Sequence, residues 1–279
     1  MTTFRVAVGC LVAELRGVDF SLDGDGVVLP QFLTDAVPDF RVNVSAGDLP
    51  RSVWGKSLRI SEQVDRQRRI VAMAVTEWQA SFDLPGRIVR AQLAGRWPGA
   101  GDSLLKTAAQ LYALETRRAL FFHASAVERG GVGVVFLGRA SAGKTTAALL
   151  SRDVGARILN EEIVCVGGPS GAQRPALHTV SLGERHCLVS GPSSVPLRRL
   201  YVLRQAPFDA VEPLAAPAAV RALASSATIG VRDELLMLPA LELASALARS
   251  VSVKLLDFRE SPSFWEAIEQ DLEGGDHAA

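Results

Sequence analysis

The sequence predicts an α/β fold behind a β-rich N-terminal region, and three observations carry that prediction. First, the continuously apolar run Gly133-Val134-Val135-Phe136-Leu137 leads through a glycine-punctuated loop into Thr145-Thr146-Ala147-Ala148-Leu149-Leu150, a strand–loop–helix pattern. Second, apolar residues recur at three- and four-residue spacing in two stretches, Leu104, Leu105, Ala108, Leu111, Leu114 and Phe264, Trp265, Ile268, Leu272, each the mark of a helix with a buried face. Third, the first hundred or so residues alternate short apolar runs with turn chemistry, which reads as mostly antiparallel strands.

In chain order, Phe4 to Val8, Val27-Val28-Leu29 behind the turn Gly24-Asp25-Gly26, and Arg69 to Val75 exemplify the N-terminal strands. The breakers Arg96-Trp97-Pro98-Gly99-Ala100-Gly101 suggest a boundary, giving an accessory region over 1–98 and a second domain over 99–279. A helix is expected from Asp102 to about Leu120, capped by Asp102 or Ser103, then a strand over Phe121 to Val127, a turn at Gly130-Gly131 and the strand entering the loop. The loop helix should end near Gly155, where glycine accepts the left-handed backbone of a helix terminus. Beyond it, Ala156 to Leu159 and Ile163 to Val166 read as strands flanking Asn160-Glu161-Glu162, with a turn over Gly167 to Gly171. Pro196 to Leu203 is a further core strand, Pro217 to Ala224 and Pro239 to Arg249 are helices opened by proline, Val251 to Phe258 is a last strand and Pro262 to Leu272 a last helix. Gly274 to Ala279 reads as a frayed tail.

Composition narrows the function classes. Apolar residues make up 48% of the chain, ample for a core, while 30 basic and 30 acidic side chains cancel, so no global field draws the protein to nucleic acid or to an anionic membrane. The three cysteines, Cys10, Cys165 and Cys187, are widely spaced and lack a C-x-x-C, which argues against a disulfide framework and a zinc site and for a reducing cytoplasm. Met1-Thr2-Thr3-Phe4-Arg5 does not open an export signal, and no stretch approaches the length of a membrane span.

The loop itself, Gly138-Arg139-Ala140-Ser141-Ala142-Gly143-Lys144-Thr145, is a complete G-x-x-x-x-G-K-[ST] phosphate-binding sequence. Its glycines let backbone N–H groups turn inward onto phosphate oxygens, Lys144 meets the β- and γ-phosphates, and Thr145 and Thr146 open a helix whose N-terminus favours an anion. Lys144 stands out because lysine is scarce here, the others being Lys56, Lys106 and Lys254. Phosphoryl transfer further needs a metal ligand, a proton acceptor and positive charge on the moving group. Thr145 and Glu161 are the expected Mg²⁺ ligands and Glu162 the expected base, since neighbouring side chains in extended backbone face opposite ways. His123 lies in an apolar strand, where a histidine taken alone is a core residue as readily as a site residue. Arg185, Arg198, Arg199 and Arg204 are candidates for neutralising phosphate charge.

His123-Ala124-Ser125-Ala126-Val127, then Gly138 to Thr145, then Leu159-Asn160-Glu161-Glu162 resemble the ordered motifs of the bacterial HPr kinase/phosphorylase family and its shorter relatives, over roughly residues 101 to 273. The resemblance implies a phosphoenolpyruvate-carboxykinase-like P-loop kinase core that uses ATP and Mg²⁺, with His123, Lys144 and Glu162 as catalytic residues. The runs Val195 to Leu203 and Leu255-Leu256-Asp257-Phe258 ahead of Phe264-Trp265 are similar to the shorter relatives. Where the family has an Asp-Asp pair this chain has Glu161-Glu162, Ala140 replaces a loop serine, and the glycine-rich segment serving the reverse reaction has no counterpart. These departures count against phosphorolysis and against HPr as acceptor. The shorter relatives include kinases encoded beside ribosomal-peptide modification enzymes, which makes the serine of a peptide or protein the expected acceptor. A small hydroxyl metabolite, or nucleotide-dependent binding of a partner without catalysis, are the alternatives. A cytoplasmic homo-oligomer with no nucleic-acid or membrane partner is expected.

Overall fold

Along Trp78–Asp83 burial alternates residue by residue, inward at Trp78, Ala80 and Phe82, which is the period-two signature of a sheet with one covered face. The structure is a computed structural model and describes residues 3–17, 32–47, 61–75, 78–94, 100–168, 174–180 and 192–274. The chain divides into two units. The first is Met1–Thr116 with Ser181–Gly183 and Ile229–Pro239, and the second is Arg117–Val180, Glu184–Thr228 and Ala240–Ala279.

The first unit holds a seven-stranded sheet built from β1 (Thr3–Val8), β2 (Leu11–Arg16), β3 (Phe40–Gly47), β4 (Ser61–Asp65), β5 (Ile70–Ala74), β6 (Trp78–Asp83) and β7 (Ile88–Ala94), in the order β1-β2-β3-β7-β6-β5-β4. The expected antiparallel character holds for β1/β2 and for β4 through β7, but β3 runs parallel to both β2 and β7. The helix α1 (Ala100–Glu115) packs on β1, β2, β6 and β7, with Tyr112 stacked on Phe40 at 4.7 Å between ring centroids. Its Tyr112 hydroxyl donates to the Asp83 carbonyl at 3.0 Å, and Trp78 Nε1 donates to Ser103 Oγ at 3.2 Å.

Three expectations shift here. The helix starts before Asp102, which therefore lies inside the first turn rather than capping it, and it ends at Glu115 because the chain reverses at Arg117 in left-handed backbone (φ 54). It groups with the first unit and not with the second. The predicted stripe Leu104, Leu105, Ala108, Leu111 and Leu114 is buried as expected, and Ala109, Gln110, Tyr112 and Ala113 are buried as well, so the second half of the helix is covered more widely than that stripe. The expected strand over Val27-Val28-Leu29, the breakers 95–99, the turn over 169–171, Arg185, Cys187 and the tail beyond Gly274 lie outside the described residues.

In the second unit two sheets share one strand. β9 (Ser125–Arg129), β10 (Val132–Leu137), β11 (Arg157–Asn160), β14 (Ser194–Gln205), β16 (Val253–Phe258) and β15 (Ala210–Pro213) form one, and β8 (Ala119–His123), β12 (Ile163–Gly167) and β13 (Ala176–His178) join the start of β14 in the other. The single strand expected over Phe121 to Val127 is thus two, broken at Ala124, where the chain passes from one sheet to the next. The hairpin β9/β10 turns on Gly130 and Gly131 (φ 62 and 80), the pair of positive φ values that a type I′ turn demands.

β10, β14 and β16 run parallel, and α2 (Lys144–Ser151), followed by a 3-10 turn over Arg152–Val154 and by Gly155 (φ 83), covers β9, β10 and β11. α3 (Ala216–Ser226) packs on β8 and β10, and α5 (Phe264–Gly274) sends Phe264, Trp265 and Ile268 into a cluster with Phe136, Tyr201, Leu256 and Phe258. α4 (Glu234–Ser250) starts ahead of Pro239, which sits inside it. Asp233 makes this earlier start: its carboxylate accepts the Leu235 N–H at 2.9 Å, capping the helix before the proline is reached. No helix among the described residues is long and apolar enough to cross a membrane.

Candidate functional site

β10 is buried on both faces and its chain leaves the sheet after Leu137. Gly138 begins the loop, and a Cβ there would lie 2.7 Å from the Ala142 Cβ, so only glycine lets the chain fold back this closely. The Ala142 N–H donates to the Arg139 carbonyl at 3.2 Å, Ser141 takes left-handed backbone (φ 62), and Gly143 (φ 94) caps α2. A Cβ on Gly143 would fall 2.6 Å from Phe258 Cζ. Arg139, Ala140 and Ser141 are exposed at the tip, Ala142 and Gly143 half-buried. Lys144, only 7% exposed, donates through Nζ to the Gly138 and Arg139 carbonyls, both at 3.0 Å, and burial holds its ammonium below the ordinary lysine pKa. Thr145 is exposed and Thr146 half-buried on the first turn of α2.

His123 follows four buried residues and is itself exposed, so the reading of it as a core histidine does not apply. One residue later the Ala124 N–H donates to the Glu162 carbonyl at 3.2 Å, and Ser125 Oγ donates to the Glu161 carbonyl at 2.9 Å in a buried bond. Those contacts tie the two sheet-crossing points of the chain together, His123-Ala124 on one side and Glu161-Glu162 on the other. Glu161 is buried to 8% exposure while Glu162 is exposed, both at the bend between β11 and β12 rather than in extended strand.

Register brings these pieces to one place. β9 pairs antiparallel with β10, Ser125 opposite Phe136, so His123 and Ala124 come beside the end of β10 where the loop starts. β11 pairs antiparallel with β9, Asn160 opposite Ala126, so Glu161 and Glu162 leave the sheet at that same edge. The C-terminal ends of β14 and β16 arrive there too, since both run parallel to β10. Ligands of open α/β sheets collect at such carboxyl ends.

The arginines separate by position. Arg199 is buried (8% exposed) and donates to Asp271 at 3.0 Å, with Tyr201 and Lys254 on the same carboxylate, a scaffold cluster away from the edge. Arg198 is half-buried nearby, earlier on β14 than the edge. Arg204 does reach the edge, but it forks onto the fully buried Asp257, one arm at 2.6 Å, with Glu212 3.7 Å away, so its charge is already balanced. Sequence reasoning did not single out Asp257 for a role, nor Gln205, whose Nε2 lies 3.6 Å from the Cβ position of Gly143. The available signal was an acid inside the apolar run Val253–Phe258, since such a carboxylate must be paired.

A loop whose two glycines admit no side chain, running directly into the N-terminus of α2, fits a phosphate chain. The oxygen donors nominated for a metal, the Thr145 hydroxyl and the Glu161 carboxylate, suit a hard cation such as Mg²⁺, which binds through few carboxylates and takes other ligands from water and phosphate. Among the described residues no group of three or more His, Cys, Asp and Glu gathers as a metal site.

Residues 103–273 match the sequence model of a family described as SynChlorMet cassette protein ScmC. That stretch coincides with the part of the chain, about 101 to 273, that carries the motif resemblance. Among solved structures, the Hpr(Ser) kinase/phosphatase from Coxiella burnetii is similar over 55% of this chain and 98% of its own, at 11% identity and a TM-score of 0.32. No curated protein matches.

Proposed function

Since the chain belongs to the family of SynChlorMet cassette protein ScmC, we propose that it is an ATP- and Mg²⁺-dependent phosphotransferase acting on a hydroxyl, the serine of a peptide or protein. The observation that carries this reading is the meeting, at one edge of the sheet, of the glycine-restricted loop Gly138–Thr145, the exposed His123 and the buried and exposed members of the Glu161-Glu162 pair. That the family is one of cassette proteins favours an acceptor encoded alongside.

In this mechanism the N–H groups from Gly138 to Thr146 hold the donor phosphates, and Lys144 exchanges its two loop carbonyls for β- and γ-phosphate oxygens. Thr145 and Glu161 would hold Mg²⁺, which would supply neutralising charge to the phosphates. Glu162, on the open side, accepts the hydroxyl proton. The hydroxyl oxygen bonds to the γ-phosphorus as the bond to the β,γ-bridging oxygen breaks, and ADP leaves with that electron pair. His123 orients the transferred group by donating a hydrogen bond to it.

Incubation with γ-labelled ATP and serine peptides tests the assignment. Glu162→Gln should lower transfer by a factor of about 10² or more while leaving ATP affinity within about twofold. Normal transfer by that variant sinks the base assignment, and absence of transfer to any acceptor by the wild type sinks the kinase.

A further inference from the structure

On the side of the loop covered by α3 there is a cavity of about 590 Å³, within the range of small-ligand sites. Its walls include Gly138 and Arg139 from the loop, and Leu214, Ala218, Arg221 and Ser225 from α3 and its approach. Two properties set it apart from ordinary surface. No carboxylate lines it, and neither the Arg139 nor the Arg221 guanidinium has a hydrogen-bond or ion-pair partner among the described residues. Arg204, at the same sheet edge, is by contrast neutralised by Asp257 and Glu212. The cavity therefore combines an apolar floor with two uncompensated planar cations, each shaped to bind a carboxylate through two parallel N–H bonds.

Its position relative to the donor decides what enters. The loop lysine of a phosphate-binding loop reaches the β- and γ-phosphates, and Lys144 Nζ rests on the carbonyls of Gly138 and Arg139. A donor whose β- and γ-phosphates meet Lys144 Nζ would therefore have its γ end beside the two loop residues that wall the cavity. A cavity next to the γ end is where an acceptor must approach.

Resting on the phosphotransferase reading, we propose that this cavity is the acceptor subsite and that it selects a hydroxyl compound carrying carboxylates, with Arg139 and Arg221 as the specificity-determining residues. The carboxylates belong either to acidic residues flanking a serine or to a small hydroxy acid.

Fluorescence anisotropy with a labelled Glu-Glu-Ser-Glu-Glu peptide, in the presence of a non-hydrolysable ATP analogue, tests this without requiring turnover. The full chain should bind it at least about tenfold more tightly than Lys-Lys-Ser-Lys-Lys, and added salt should weaken it. Arg221→Glu should lose the acidic peptide by about tenfold or more and gain the basic one, with the analogue's own affinity unchanged; Arg139→Ala should weaken the acidic peptide and leave the basic one no weaker. Competition by 3-hydroxypropionate with no measurable peptide binding assigns the same cavity to a small hydroxy acid. Equal binding of the two peptides and no competition, unaltered acidic-peptide binding by Arg221→Glu, or a selective loss of ATP analogue in that variant overturns the proposal. Acidic-peptide binding without phosphate transfer leaves the subsite standing and overturns only the kinase.

Discussion

Gly143 illustrates how one missing side chain governs a loop. With φ of 94 and a Cβ position 2.6 Å from Phe258 Cζ, alanine there meets both backbone strain and a ring held in the core. Gly143→Ala should cost about 1–3 kcal/mol in urea unfolding and weaken ATP binding in calorimetry, because the cap of α2 and the phosphate cradle are one backbone. Asp102 makes a second, independent case. Burial pushes its carboxyl up from 3.8 to about 7, against the opposing pull of Lys106, and Oδ1 has no hydrogen-bond partner among the described residues. Between pH 3.8 and about 7 the folded chain holds a proton there that the unfolded chain has released, so this residue makes stability fall as pH rises through that window. Asp102→Asn should flatten that slope and stabilise the protein at pH 8 by on the order of 2 kcal/mol, read from denaturation midpoints at several pH values.

At the scale of elements, α5 is fixed to the sheet by charge as well as by Phe264 and Trp265. Asp271 is raised by burial but held well below the usual carboxylate range by hydrogen bonds from Lys254 and Tyr201 and the charge of Arg199, so its contribution is present above the unfolded pKa and lost as pH falls through the depressed one. Asp271→Asn should destabilise by about 3 kcal/mol at pH 7, leaving buried Arg199 without its counter-charge. The elements around the loop were legible in the sequence because each has a local cause: an apolar run at Val134 to Leu137, paired glycines at 130–131, a left-handed glycine at 155. What was not legible was non-local. Ala124 breaks the segment read as one strand only because β8 and β9 pair in different sheets, and Pro239 reads as a helix start until Asp233 is seen capping five residues of helix ahead of it. The exposure of His123 and the pairing of Arg204 with Asp257 likewise depend on partners distant in sequence. For the candidate site, sequence order nominated residues that the fold gathers at one edge, while the balancing of Arg204 by Asp257 and Glu212 there required the fold.

For the whole molecule, equal numbers of acidic and basic side chains and a pI near 6.9 leave no long-range field. Binding to duplex DNA or to phosphatidylserine vesicles at about 0.15 M salt should be undetectable by co-sedimentation, and solubility should pass through a minimum near neutral pH. Within the second unit, β14 is a member of two sheets, pairing with β13 at its start and with β10 and β16 farther on. A one-residue slip of a strand turns every side chain to the opposite face. In β14 such a slip would swing Arg199 away from Asp271 and Arg204 away from Asp257 at once. Scaffold and site edge are thus proofread by a single alignment, and a chain that has misaligned this strand cannot present a half-correct site.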